Sequence, residues 1–386
     1  MDQRVAEDLP VNPEMAEQPV NEASLRTSAM KFLAWAHQRG LLSTDAYYPG
    51  DGYEAPVLAN ATDAAVSLLR AKLIRAVGIN VSVPEIVVFL QRAVPGVRQV
   101  LTLPTACDGI QLKYHQGQPD PVTPSAVGQA ANPCAVHQAQ AGGQFYTCGS
   151  SISVGNAAAA GTLGCLVRDA AGDLYGLSNN HVSGGCNYAP GGLPILAPGV
   201  MDVSPNMPHP FTIGTHQRQL PMNMGDPTTV DTLINQDASI FKIVAVDRIS
   251  SMQQNSYDTP AASMPLMGGM HVKKVGRSSG FTEGVVLGEM VGAHRVNYQA
   301  PEHAFSGPVY FDRMFAVVGK ADRFSEPGDS GSLVVHEAPD GIDYAVGIIV
   351  AGYTDNRAPG NIVSLIMPIE PILVSFNVTL VAGHNV

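Results

Sequence analysis

The sequence predicts a mainly β protein, a sandwich or barrel from about residue 160 onward with a small α+β unit before it. Three observations carry that prediction. Charged residues make up only 14% of the 386-residue chain, while glycine (39) and proline (29) are plentiful, a balance that suits strands and loops better than a helical bundle. Apolar residues reach 45%, enough for a real core and too many for a disordered chain. From Gly161 onward, short apolar runs recur between turn signals, at 161–168, 173–178, 228–234, 238–246, 284–291, 332–336, 344–350 and 362–367. That is the texture of an all-β sandwich or barrel.

In chain order, residues 1–20 are acidic, lack an apolar run and read as a flexible tail, not a secretory signal. No stretch approaches the eighteen unbroken apolar residues of a membrane span, so a cytoplasmic protein with no membrane contact is expected. A net charge of -11 leaves little to neutralise phosphates, which argues against a nucleic-acid partner. Asn21 can cap a first helix, with Leu25, Ala29, Phe32 and Ala36 on one face and Gly40 at its end. A second helix is expected from Thr62 to Val77, striped by Val66, Leu69, Leu73 and Val77 and closed by Gly78. Strands are expected at Glu85–Leu90, Arg98–Leu103 and Gly109–Tyr114. Together these make an α+β unit over 21–118, read as a docking or homo-oligomerisation module. Residues 119–159, rich in Gln, Gly, Pro, Ser and Ala, are expected to be a linker, and 376–386 a C-terminal tail.

The sharpest chemical signal is Glu326-Pro327-Gly328-Asp329-Ser330-Gly331-Ser332, followed by Leu333-Val334-Val335. A serine acts as a nucleophile from a tight, glycine-bounded turn, where the backbone can approach a substrate closely. The N–H groups of Gly328 and Ser330 could then hold the oxygen anion that forms on an attacked carbonyl. The same tetrapeptide also occurs as an ordinary turn before a strand. A serine hydroxyl needs a base, and among eleven histidines His181 has a distinctive setting. A hairpin over 161–178 leads through Asn179-Asn180 to His181-Val182.

A strand, a small or polar pair and His-Val resembles the histidine motif of chymotrypsin-like serine peptidases, and Glu-Pro-Gly-Asp-Ser-Gly-Ser resembles their nucleophile motif. The nearest subgroup is the bacterial and plant trypsin-like peptidases with Leu-Ser/Thr-Asn-x-His-Val and an N-terminal extension. Here the match is Leu177-Ser178-Asn179-Asn180-His181-Val182, with asparagines where secreted members usually carry alanines. The resemblance spans about 160–375 and implies two six-stranded antiparallel barrels, with the site in the cleft between them. It also implies a serine endopeptidase working through an acyl-enzyme, with His181 as base, Ser330 as nucleophile and an aspartate between them in sequence. Asp202, Asp226, Asp231, Asp237 and Asp247 are candidates. Asp237 is favoured because the family places an aspartate before Ala and an apolar strand, as in Asp237-Ala238-Ser239-Ile240-Phe241. Asp231 is its rival.

The family pattern also places strand–turn–strand structure at Lys274–Gly284, a substrate-pairing strand at Ile349, Val350 and Ala351, and a pocket floor near Phe324. Only Asp322 and Glu326 are acidic near that floor, which points to apolar or small substrate side chains. Cys165 and Cys186 flank His181 and stand either as a disulfide or as two free thiols. No cofactor or metal is expected, and the expected partner is a protein or peptide substrate. The alternative is a catalytically silent scaffold that binds peptides or assembles. In a third reading, the N-terminal unit holds the enzyme latent.

Overall fold

The computed structural model describes residues 21–386 apart from 45, 49, 51, 93–96, 101, 117–132, 141, 205–208, 356 and 357. The expected tail over 1–20 lies outside the described residues. The first helix, Glu22–Gln38, starts where Asn21 Oδ1 accepts the Ser24 N–H at 2.8 Å, and it buries Leu25, Ala29, Phe32 and Ala36. Thr62 caps the second helix, but this ends at Lys72 and the chain continues as a strand, Ile74–Asn80. The expected run to Val77 is thus corrected. Leu73 takes a left-handed backbone, φ 58°. Beyond it, the β-branched Ile74, Val77 and Ile79 fit a pleated surface better than a further turn of helix. Glu85–Leu90 is a strand as expected, and Ile110–Gln116 lies close to the expected position. Arg98–Leu103 is not a strand: Val97–Val100 is a short helix, and Leu103 is buried beyond it.

The double barrel is read directly from the hydrogen-bond ladders. Strands His271–Gly276, Leu333–Glu337, Asp343–Thr354, Ile362–Pro368, Phe315–Gly319 and Gly280–Met290 pair antiparallel in that order, and the last pairs back with the first. Six strands therefore close a ring with no free edge in it. The other barrel comprises Cys165–Asp169, Leu174–Ser178, Ser239–Ile243, Phe211–Gln219, Pro194–Ala197 and Ser151–Val154, again antiparallel. It returns on itself because Gly161–Thr162, just before Cys165, pairs with Ser151–Ile152.

Two stretches with weak periodicity are structured. Within the expected linker, Val136–Gln138, Gln144–Cys148 and Ser151–Val154 are strands. Within the expected C-terminal tail, Val378–Leu380 adds a strand to Cys165–Asp169. The apolar run 228–234 is not a strand: Thr232–Ile234 is a single 3₁₀ turn, with Leu233 and Ile234 exposed.

Each barrel has its own filling, Leu166, Ile195, Ile213 and Phe241 in the first and Val272, Val317, Val334 and Ile366 in the second. Phe241 packs so tightly over Gly176 that a Cβ there would clash with its ring. A third apolar cluster joins the barrels, with Cys165, Leu177 and Ile240 against Leu333, Ile348 and Val350. At about 1.5–3 kcal/mol for each large side chain buried, this seam fixes how the barrels, and so the residues at their junction, face each other. Strand Ile74–Asn80 carries the N-terminal sheet onto the second barrel through Gly78↔Met290 and Ile79↔Glu289.

Candidate active site

His181 is held by the asparagines that precede it. Strand Leu174–Ser178 delivers the chain to Asn179, and a single helical turn, Asn180–Ser183, follows. Asn179 and Asn180 are fully buried. Asn179 Nδ2 donates to the Asp237 carbonyl at 2.7 Å, while Asn180 Nδ2 donates to Leu220 O at 2.9 Å and its Oδ1 accepts from Asn187 N at 3.0 Å. Alanines could make none of these bonds. Asn179 thus stitches the histidine turn to the base of the Asp237 strand.

Asp237 stands just before Ser239–Ile243 and is 0% exposed. Its Oδ1 accepts the His181 backbone N–H at 3.0 Å, and its Oδ2 lies 2.6 Å from His181 Nδ1. Tyr298 O–H also donates to Oδ2, at 3.0 Å. A buried carboxylate in this position fixes the imidazole with Nδ1 protonated and Nε2 turned to the opposite side. The other four aspartates serve elsewhere or face solvent. Asp202 pairs with Arg277, Asp226 bonds Thr228, Asp231 is exposed and accepts from Leu233 N at 3.1 Å, and Asp247 is exposed.

The Ser330 turn is built round a second buried acid. Asp329, also 0% exposed, accepts from Lys274 Nζ at 3.1 Å, Ser279 Oγ at 2.5 Å and the N–H groups of Ser278 and Glu326 at 2.8 and 2.9 Å. Burial alone would raise the Asp329 carboxyl, but the Lys274 charge and these donors outweigh it and hold it below the ordinary carboxylate range. Gly328 and Gly331 have φ 101° and 92°, a backbone region that favours glycine.

The turn is tied to the first barrel by Thr162, whose N–H donates to Ser330 O at 2.8 Å and whose Oγ1 donates to Gly328 O at 2.9 Å. A Cβ on Gly331 would clash with Ser178 Oγ and Thr162 O and lie 3.3 Å from Asn179 N. The serine turn therefore sits against the strand end that carries His181. Ser330 Oγ itself makes no hydrogen bond to His181 among the described residues, and neither the Gly328 nor the Ser330 N–H donates to a protein acceptor there.

The sequence-read binding residues are placed as follows. Phe324 is fully buried among the residues that fill the second barrel. Ile349 accepts from Gly331 N and donates to Ser332 O, beside Ser330. Val350 and Ala351 are buried at a bulge against Ile362–Pro368. Beyond Ile349, the other edge of this strand has no strand partner among the described residues. Cys165 and Cys186 are both free and buried, and burial pushes the Cys165 thiol up to about 12, which makes it a poor nucleophile. Among the described residues, no group of three or more His, Cys, Asp or Glu is placed to hold a metal ion.

Sequence reading missed Tyr298, Lys274 and Thr162. Lys274 left a trace, as a lone charge on the inward side of an apolar strand between Val272 and Gly276. Tyr298 left none, because nothing in the sequence links it to Asp237.

A family model described as the Nal1 C-terminal domain matches residues 235–364. No curated protein matches the chain. Among solved structures, the chain is similar to Thermobifida fusca protease A, at 17% identity over 61% of this chain and 98% of that one, TM-score 0.39. It is similar to a glutamic-acid-specific serine protease, at 19% identity over 61% and 100%, TM-score 0.40, and to Cellulomonas bogoriensis chymotrypsin, at 17% over 61% and 97%, TM-score 0.38. Likenesses this distant do not bear on what the chain does; the fold stands on its own ladders and the site on its own contacts.

Proposed function

We propose that the chain is a serine endopeptidase acting through an acyl-enzyme, with Ser330 as nucleophile, His181 as base and Asp237 as the acid that orients it. The observation that carries this reading is the 2.6 Å contact of His181 Nδ1 with a fully buried Asp237, next to a turn whose Gly328 and Ser330 N–H groups have no acceptor among the described residues. In the proposed reaction, His181 Nε2 takes the Ser330 proton as Oγ attacks the scissile carbonyl. The two N–H groups hold the oxyanion, and the imidazolium then protonates the leaving amine. Water deacylates Ser330 by the same route in reverse. Asp237 orients the imidazole and steadies the transient imidazolium. The edge beyond Ile349, which has no strand partner among the described residues, suits a peptide that adds as a further strand. Arg323 engages both acids near Phe324, Glu326 at 3.0 Å and Asp322 at 3.7 Å, which favours apolar or small side chains over basic ones in the substrate.

The test is covalent labelling of the full chain by a fluorophosphonate. Labelling is expected, with complete loss in Ser330→Ala and retention in variants of surface serines. A folded wild-type chain that takes no label sinks the peptidase reading and leaves the silent scaffold. A peptide-library cleavage profile then tests the apolar or small preference.

A further inference from the structure

The hairpin of His294–Ala300 and Phe305–Phe311 belongs to neither barrel ladder, forming a two-stranded sheet of its own. Its inward residues alternate along the first strand, with His294, Val296, Tyr298 and Ala300 buried. Tyr298 is thereby aimed at the junction of the barrels. It is 1% exposed, its ring lies 5.4 Å from the His181 ring, and Phe311 meets it edge-on at 6.0 Å. Asp237 Oδ2 is the acceptor that its hydroxyl finds, at 3.0 Å. Burial and the Asp237 charge raise the phenol well above its ordinary value, so its proton stays on the oxygen.

We propose that Tyr298 is a positioning residue for the His181–Asp237 pair. Its hydroxyl donates to Asp237 Oδ2, the same oxygen that meets His181 Nδ1, and its ring packs beside the imidazole and limits how far His181 can swing. This inference rests on the peptidase reading. A carboxylate with no cation beside it needs neutral donors to stay charged when buried. Asp237 has three: the His181 N–H, the Nδ1–H and the Tyr298 O–H. Only the last comes from outside the histidine segment, so it ties the carboxylate to a strand to which His181 does not belong.

The hairpin is anchored in turn by Asn235 Nδ2, which donates to Tyr310 O at 2.9 Å, by Thr232 on Asp312 and by a Met224↔Val309 bridge. Residues 222–235 therefore brace the hairpin that carries Tyr298.

The test compares wild type, Tyr298→Phe and His181→Gln, all as full-length chain. Two readouts are used: the rate of fluorophosphonate labelling, and the low-field proton resonance of the His181 Nδ1–H, identified by its loss in His181→Gln. Removing one hydrogen bond to a buried charge is expected to slow labelling about ten- to a hundredfold and to move the resonance or speed its exchange. A folded Tyr298→Phe with unchanged rate and unchanged resonance overturns the proposal. If that variant fails to fold, 3-fluorotyrosine at position 298 keeps the shape and strengthens the donor. An unmoved resonance there overturns the proposal equally. Absence of labelling in wild type defeats the peptidase reading alone, because the resonance still reports whether Tyr298 holds Asp237.

Discussion

Two aspartates, Asp237 and Asp329, sit at the junction of the barrels, both completely buried, and they are neutralised in opposite ways. Asp329 has a lysine, a hydroxyl and backbone N–H groups around it. Its charge is fully matched, and what it fixes is the shape of a turn. Among the described residues Asp237 has no lysine or arginine as a hydrogen-bond partner, only an imidazole, one amide and one phenol. In the proposed reaction its field is left to steady the His181 imidazolium. The contrast teaches that burial does not by itself mark a reactive carboxylate. The distinguishing feature is whether the counter-charge is permanent or made on demand.

The most severe way to break this comparison is Asp237→Asn, which keeps the shape and removes the charge. Fluorophosphonate labelling is expected to slow by about ten-thousandfold with little change in melting temperature; retention of a tenth of the wild-type rate would remove Asp237 from its role. Lys274→Met attacks the other acid. It leaves Asp329 buried and unmatched and is expected to cost about 3–5 kcal/mol in urea unfolding.

The sign with pH follows from the low Asp329 value. Its stabilisation is complete above the ordinary carboxylate range of the unfolded chain and fades as pH falls through the lower folded value. In Lys274→Met burial acts without that charge and the folded value rises, so the loss of stability that Asp329 causes on acidification should shrink and the acid part of a melting-temperature profile should flatten. A smaller effect belongs to the hairpin. Burial, with help from Arg75, lowers the His294 imidazole to about 4. It contributes stability that is full above the unfolded value near 6.5 and disappears toward 4, at most about 3 kcal/mol. His294→Phe should flatten that part of the profile. The smallest change is expected from Asp231→Asn, within about 0.5 kcal/mol and with labelling unaltered, since this acid is exposed and far from any buried partner.

Much of this was legible in the sequence because it is local. Asn21 announced the first helix by capping, the second showed in its apolar stripe, and the strand Glu85–Leu90 showed in the apolar run after Glu85. The Gly328–Gly331 turn showed in its glycines. The failures share a physical cause. Leu73 and Ile74 read as helix because a stripe spaced for one can equally be divided between a helix face and a strand face. Strands such as Gln144–Cys148 and Val378–Leu380 are short and half polar, and take their stability from neighbours distant in the chain. The contacts that distinguish Asp237 from Asp329, with Tyr298 and Lys274, span 61 and 55 residues. No periodicity encodes such pairings; the barrels create them on closing.

The continuous ladder from the N-terminal sheet into the second barrel has a practical consequence. Because Gly78 and Ile79 pair with Met290 and Glu289, and Phe89 packs edge-on against Tyr353, the N-terminal sheet is not an appendage that can be cut away cleanly. Excision would bare a hydrogen-bonding rim and an apolar face together, a combination prone to self-association. A shortened chain that precipitates would therefore say nothing about latency, and any control exerted by that region has to act with it still in place.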